Sequence, residues 1–208
     1  MPKGLFVDSI IEAVRTEFKE ECDYLKEADK LSKYRRLLDG DPRYYVPKVY
    51  KKHSNSQCLC MEFVAGQSID SLADEGTPQE VRDYVGSLLL ELCLRELFVF
   101  RFMQTDPNPA NFFYNPENKK LVLIDLGAGR GFDKYFVDNY MGIVHGASEN
   151  DIKKILECSK NIGVVTGEES KRTLQAHINA ALIIGEGFSM KGEPFYDFST
   201  QDVTNKVS

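Results

Sequence analysis

The sequence predicts an α+β fold in which one long helix and two or so strands precede a mainly helical second half. Three observations carry this. Apolar residues recur at three- and four-residue steps over most of the chain, the period of an amphipathic helix. Strand-like runs are short and confined to two stretches, residues 45–64 and 111–124. With 208 residues, 42% of them hydrophobic and 28% charged, the chain can bury a sizeable core in one domain or two closely packed lobes.

Residues 8–38 read as a long helix with room for a break in its middle. Ile11, Val14, Phe18, Cys22 and Leu25 form its apolar stripe. Asp8 or Ser9 offers a cap, and Asp39-Gly40-Asp41-Pro42 ends it. Two short strands are expected at Tyr45 to Tyr50 and Gln57 to Val64, joined by the polar turn His53-Ser54-Asn55-Ser56 and closed by Ala65-Gly66-Gln67. Pro78 opens a helix running to about Phe102 that is apolar almost all round, which places it in the middle of a helical lobe. A hairpin follows: Asn111 to Tyr114, a turn over residues 115–120, then Leu121 to Ile124. Helices are expected at roughly 133–147, 149–161 and 168–187, then a loop-like Glu193 to Phe198 and a helix starting at Asp202. The division expected is a partial small lobe over 1–64 and a larger, mainly helical lobe over 65–208.

The net charge of −6 and pI near 5.2 argue against general nucleic-acid binding, which shows a basic footprint. They are compatible with ATP, whose site needs only local positive charge and metal. Five cysteines (Cys22, Cys58, Cys60, Cys93, Cys158) lack C-x-x-C spacing and read as buried reduced thiols. His53, His145 and His177 are scattered, so a zinc site is not expected; His177 reads as a satisfied core histidine. No apolar run reaches the ~18 residues of a membrane span. The longest candidate, Leu88 to Met103, is interrupted by Glu91, Arg95, Glu96 and Arg101.

Chemistry concentrates in Gln104-Thr105-Asp106-Pro107-Asn108-Pro109-Ala110-Asn111 and in Asp125-Leu126-Gly127 after the apolar strand. One Asp, an Asn five residues on, and a second Asp closing a strand before Gly is the layout of a kinase catalytic loop and metal-binding segment. Phosphoryl transfer needs these groups together. A carboxylate orients the nucleophile's proton, while an amide oxygen and a second carboxylate hold the magnesium ions that neutralise the phosphates. The hairpin brings Asn111 near Asp125 and leaves Asp106 on the loop entering it. Asp106 also has a plain reading as an Asx turn before Pro107. Asp125 is expected to be buried at its strand end, where a carboxylate is costly unless paired or metal-bound. Met61-Glu62-Phe63-Val64 falls where a kinase-like fold places its hinge, so the backbone at Glu62 and Val64 marks the adenine side. Glu21, Asp23 and Glu27 read by spacing alone as solvated helix charges, with Lys26, Lys30 and Lys33 as partners.

Beyond the generic pattern, Glu21-Cys22-Asp23-Tyr24-Leu25-Lys26-Glu27-Ala28 resembles the acidic helix of the UbiB family of atypical kinase-like proteins. Cys93-Leu94-Arg95-Glu96-Leu97-Phe98, Phe102-Met103-Gln104-Thr105-Asp106-Pro107-Asn108 and Phe195-Tyr196-Asp197-Phe198 resemble its mitochondrial members, which act in coenzyme Q biosynthesis. The resemblance spans essentially the whole chain and implies a protein-kinase-like fold. It implies Asp106 as the catalytic-loop Asp, Asn111 and Asp125 as metal ligands, and Glu27 as the helix glutamate that pairs the nucleotide-anchoring lysine. It further implies Glu21 and Asp23 as the family's extra acidic pair. ATP and magnesium are the implied cofactors. The implied work is atypical kinase or ATPase chemistry on a small molecule or lipid, in mitochondria on the matrix side of the inner membrane, with lipid-like coenzyme Q precursors and biosynthesis proteins as partners. A phosphate-covering loop, a strand lysine and a Lys-x-Gly-Gln segment find no match here, so the chain reads as a fragment of the family's full length. Two alternatives stay open: a nucleotide-gated scaffold, and a phosphotransferase of aminoglycoside or choline kinase type.

Overall fold

The computed structural model describes residues 23–74, 76–106 and 108–189. They fall into two compact units, one ending at Gly131 and one beginning at Phe132.

In the first unit, α1 spans Tyr24–Leu37. Asp23 is its N-cap, its carboxylate accepting the Leu25 N–H at 3.2 Å, which satisfies a donor the helix leaves free. Arg35 and Arg36 sit in the last turn, where cations oppose the helix dipole. The buried face is Ala28, Leu31, Tyr34 and then Leu38, a step of three or four residues. This corrects the expected stripe at Leu25, which is exposed. The rest of that stripe lies outside the described residues.

β1 is only Tyr44–Tyr45. The hairpin expected over 45–64 survives as pairing without a ladder: Tyr50 N–H bonds Cys60 O, Glu62 N–H bonds Lys48 O, and isolated bridges join Val49 to Met61 and Asn55 to Cys58. Pro47 and the one-turn helix Lys51–His53 interrupt it, since proline gives no ladder donor. A short β2, Gln67–Ser68, leads through the 3-10 turn Ile69–Ala73 to α2, Gln79–Leu94. Its last turns widen into a π-helical segment, Arg95–Phe100, and left-handed Arg101 stops it. Phe102 therefore belongs to β3 (Phe102–Gln104) rather than to the helix. Nor is α2 buried all round. Val85, Leu88 and Leu92 are buried, but Leu90, Cys93 and Val99 are exposed. Cys58 is exposed too, so the expectation of buried thiols fails at both positions, while the four described cysteines are free.

β4 (Phe112–Asn115) and β5 (Lys120–Leu123) form the expected hairpin, with Phe112 opposite Leu123 and Asn115 opposite Lys120. The four-stranded sheet runs β1-β5-β4-β2, β1 being parallel to β5. A second, two-stranded sheet pairs β3 with β6 (Gly129–Gly131). Leu31, Tyr34, Tyr44, Leu88, Leu121, Leu123 and Leu126 share one core.

A polar clamp ties β1 to α2. Asp41 accepts from Arg43 (2.9 Å) and Arg95 (2.7 Å), and Arg43 also reaches Glu91 at 2.6 Å. Hydrogen bonds from Arg43, joined by those from Arg95, hold the Asp41 carboxyl well below its ordinary range. Its folded pKa is depressed, so its contribution is present above about pH 4 and is lost as pH falls. Asp41→Asn is expected to lower unfolding free energy by about 2 kcal/mol at pH 7, read by urea titration, and to flatten the loss below pH 4.

The second unit holds α3 (Lys134–Ser148), α4 (Ile152–Asn161) and α5 (Lys171–Gly185), close to the expected spans. Asp133, Asp151 and Ser170 cap them. Ala147, Ile155 and Ala181 form their core. Gly185 lets α5 lie against α3, since a Cβ there would stand 2.4 Å from the Ala147 Cβ. His177 pairs with the Ser159 hydroxyl at 2.8 Å.

Candidate active site

The loop from Gln104 to Asn111 is pinned at both ends. At its start, Gln104 stands opposite Gly129 in the β3–β6 pair. The Thr105 hydroxyl donates to Ala128 O at 2.8 Å, and Gln104 Nε2 donates to Asp125 O at 3.2 Å. At its end, Asn108 caps the 3-10 turn Pro109–Asn111, accepting the Ala110 N–H. Proline suits the first position of that turn because its missing N–H needs no partner there. The Ile124 N–H then bonds Asn111 O at 3.0 Å. That bond continues the β4–β5 pairing by one step and sets Asn111, which is buried, beside the residue preceding Asp125.

The structure brings Asp125 together with Glu27. The Asp125 carboxylate accepts the Gly127 N–H at 3.0 Å and is hydrogen-bonded to the Glu27 carboxyl. A Cβ built on Gly127 would stand 3.1 Å from Glu27 Oε2 and 3.4 Å from Asp125 Oδ1. A side chain there would press on both carboxyls, so glycine suits this close approach. Burial, then the Asp125 charge and the shared hydrogen bond, lift the half-buried Glu27 carboxyl to about 7, against the Leu126 N–H and Lys30. The Glu27 carboxyl therefore holds its proton up to near neutrality beside Asp125. The Lys30 ammonium, one turn on from Glu27, donates to Gly127 O.

One expectation is corrected here. Asp125 is exposed, not buried: the strand ends at Leu123, and Leu126 rather than Asp125 enters the core. The cost of burial falls instead on Glu27. Asp106 is exposed on the loop. Asp23 spends its carboxylate on the helix cap, and Glu21 lies outside the described residues.

Glu62 and Val64 form a separate group. With Tyr45, Phe63, Ala65, Asn115, Lys120 and Val122 they line a cavity of about 210 Å³. The Glu62 carboxylate accepts from the Tyr45 hydroxyl (2.7 Å) and the Lys48 N–H (3.1 Å), which lower its pKa. It thus braces β1 through one of its oxygens. β5 links the two groups, with Lys120 and Val122 at the cavity and Asp125 two residues beyond its end.

Sequence reasoning gave Glu96 no role beyond interrupting an apolar run, yet it is buried beneath this loop. Its signal was that very position, a lone acid on the apolar side of a helix. Lys30 was read only as a surface partner for acids; no sequence signal aims its ammonium at Gly127.

Among the described residues no cluster of three or more His, Cys, Asp or Glu side chains could hold a metal. The donor set is two carboxyls, Glu27 and Asp125, with the Asn111 carboxamide nearby in sequence register. Hard oxygen donors of this kind suit magnesium. Two carboxyls within hydrogen-bond reach, one of them held by the Gly127 N–H, offer the negative charge that a divalent ion requires, so the residues fit such an ion.

The ABC1 atypical kinase-like domain matches residues 1–159. The chain is 43% identical over 99% of its length to the mitochondrial atypical kinase coq-8 of Caenorhabditis elegans, and 44% over its full length to mitochondrial atypical kinase COQ8B of Danio rerio. Identity to mitochondrial atypical kinase COQ8 of Saccharomyces cerevisiae is 38% over the full length. It spans 27%, 32% and 41% of those three proteins. Among solved structures, the Rv3197–erythromycin complex of Mycobacterium tuberculosis superposes with a TM-score of 0.69 at 23% identity, covering 88% of this chain and 46% of that one. That likeness concerns the fold alone, which is a partial kinase-like α+β fold. On the family match and these relatives, the chain belongs to the ABC1 (UbiB) family of atypical kinases.

Proposed function

We propose that the polypeptide carrying this chain is an atypical kinase or ATPase that binds ATP with magnesium and supports coenzyme Q biosynthesis. Its partners would be a small-molecule or lipid acceptor and the proteins of that pathway, in mitochondria and peripheral to the inner membrane. No helix among the described residues is long and apolar enough to cross a membrane. The observation that carries the reading is the convergence of Glu27 and Asp125 beside Asn111, with Asp106 on the loop tied to the same turn. The mitochondrial COQ8 relatives support the pathway and the compartment. In this reading residues 1–64 contribute to the small lobe and 65–208 to the large one.

Asp125 and Asn111 would hold the magnesium, which when bound supplies the charge that neutralises the nucleotide phosphates. Asp106, exposed at the loop crest, would accept the proton of the attacking hydroxyl or water and orient its oxygen. Gln104 and Thr105 fix that crest by their bonds to Asp125 O and Ala128 O. Glu27 is poised to release Asp125 to the metal and take up a cationic partner. The adenine would lie against the backbone of Glu62 and Val64, at the far end of β5.

The test is Asp106→Asn in the naturally expressed polypeptide. Magnesium-dependent turnover should fall by about a hundredfold or more while nucleotide affinity stays within about threefold, because Asp106 touches the nucleophile and not the nucleotide. Undiminished turnover would remove Asp106 from the mechanism. Nucleotide binding without turnover in the parent protein would favour the scaffold role.

A further inference from the structure

The site rests on a buried polar floor. Glu96, in the π-helical segment after α2, is 4% exposed, and Gln104 at the foot of the catalytic loop is likewise 4% exposed. The Gln104 backbone N–H points at the Glu96 carboxyl, and the Tyr34 hydroxyl, fully buried on α1, faces the same group. Among the described residues, four buried side-chain polar atoms lack a hydrogen bond of ordinary geometry. Three of them are here: the Tyr34 hydroxyl, Glu96 Oε1 and Gln104 Oε1. A native core rarely leaves such atoms together without a purpose, since each costs about 1–3 kcal/mol. Among the described residues the groups facing Glu96 are Tyr34 from α1 and Gln104 from β3, with Cys93 on its own helix, and no lysine or arginine among them balances it. Burial accordingly lifts its carboxyl to about 7 against the pull of the Tyr34 hydroxyl and the Gln104 N–H. A leucine would pack such a position at less cost, so packing alone does not account for an acid.

Geometry gives the reason. Tyr34 lies seven residues after Glu27, two turns along the same face of α1. Gln104 lies two residues before Asp106, and its side chain holds Asp125 O. Glu96 is thus the point where the helix carrying Glu27 meets the strand delivering Asp106. π-helical turns commonly mark such functional points because they re-aim one side chain. We propose that Glu96 is a positioning residue of the site, joining Tyr34 to the Gln104 backbone and thereby fixing the Asp106 loop against the helix that carries Glu27. This rests on the phosphoryl-transfer reading given above.

The experiment compares Glu96→Leu and Glu96→Gln in the naturally expressed polypeptide, following turnover and amide hydrogen exchange. In Glu96→Leu, exchange over residues 102–111 should rise about tenfold and kcat should fall about tenfold, with KM for the magnesium nucleotide within about twofold. Glu96→Gln keeps the shape and an acceptor for the Gln104 N–H. It should restore loop protection and bring kcat within about threefold of the parent. A residue that merely packs would show no such rescue and no confinement of the exchange change to this loop. If Glu96→Leu does not fold, Tyr34→Phe, which deletes one oxygen, should loosen the same loop. Unchanged exchange and kcat in Glu96→Leu, or no recovery in Glu96→Gln, overturns the proposal. A parent protein that turns over no nucleotide defeats the functional reading, while the exchange measurement still decides the positioning.

Discussion

Asp125→Asn in the naturally expressed polypeptide is expected to abolish magnesium-dependent nucleotide turnover, by at least about a hundredfold, or about 2.7 kcal/mol of barrier. The amide keeps the size of the side chain and its acceptor for the Gly127 N–H, so the turn at 125–129 should persist. It loses the negative charge that would hold the ion. The same change acts on Glu27, whose carboxyl is raised first by burial and then by the Asp125 charge and hydrogen bond. Removing that charge lowers the Glu27 pKa from about 7 toward its ordinary value. The variant should therefore bind nucleotide no better with magnesium than with a chelator, and yet unfold at the same or higher denaturant concentration. Calorimetric titration with and without magnesium, paired with a urea melt, reads both effects. Turnover equal to the parent's would refute the assignment of Asp125 as a metal ligand. A lower melt with turnover lost would make Asp125 a structural residue of the turn.

The hairpin that carries the site was legible because its signals were local. Asn111 to Ile124 has apolar strands of matching length around a polar, Pro- and Asn-rich turn, and the pairing of Phe112 with Leu123 follows from that symmetry. The three helices after residue 133 were equally plain, each opened by an Asp or Ser cap. Other elements depended on partners distant in the chain. β1 is two residues long and exists by pairing with β5, some 75 residues later, which no local pattern announces. The end of α2 was misplaced because Phe98, Phe100 and Phe102 read as one apolar run, whereas left-handed Arg101 splits it. Among site residues, the motif identified Asp106, Asn111 and Asp125. The contact between Glu27 and Asp125 joins residues almost a hundred positions apart, and spacing on α1 alone ranked Glu27 with its solvated neighbours. Burial was assigned to the wrong member of that pair, because a strand-end position says nothing about which way the chain leaves the sheet.

Stability in chelator is expected to fall as pH rises from about 4.5 to about 7, with Glu27 as a principal cause. Its ordinary value is 4.5 and its folded value about 7. Below 4.5 both states hold the proton and Glu27 contributes no difference. Between the two values the unfolded chain releases a proton that the folded chain keeps, so the unfolded state gains with each step in pH. Above 7 the full loss has been incurred. For a half-buried group with some solvent screening it amounts to about 2–3 kcal/mol. Glu96, also lifted to about 7, acts with the same sign, whereas the depressed Asp41 acts at lower pH with the opposite one. Glu27→Gln removes its share: the variant should match the parent near pH 4 and exceed it by about 2 kcal/mol at pH 8, leaving the slope due to Glu96. Magnesium nucleotide reverses the order. At pH 8 it should raise the parent's melting temperature by mass action and raise that of Glu27→Gln less, because the amide no longer pairs a cation at the site. Identical pH slopes in parent and variant would show that Glu27 is not the group that keeps its proton on folding. Equal stabilisation by magnesium nucleotide would show that its carboxylate is not needed once the ion is bound. A carboxyl that weakens the empty protein and strengthens the loaded one is what a binding site requires and a structural ion pair does not.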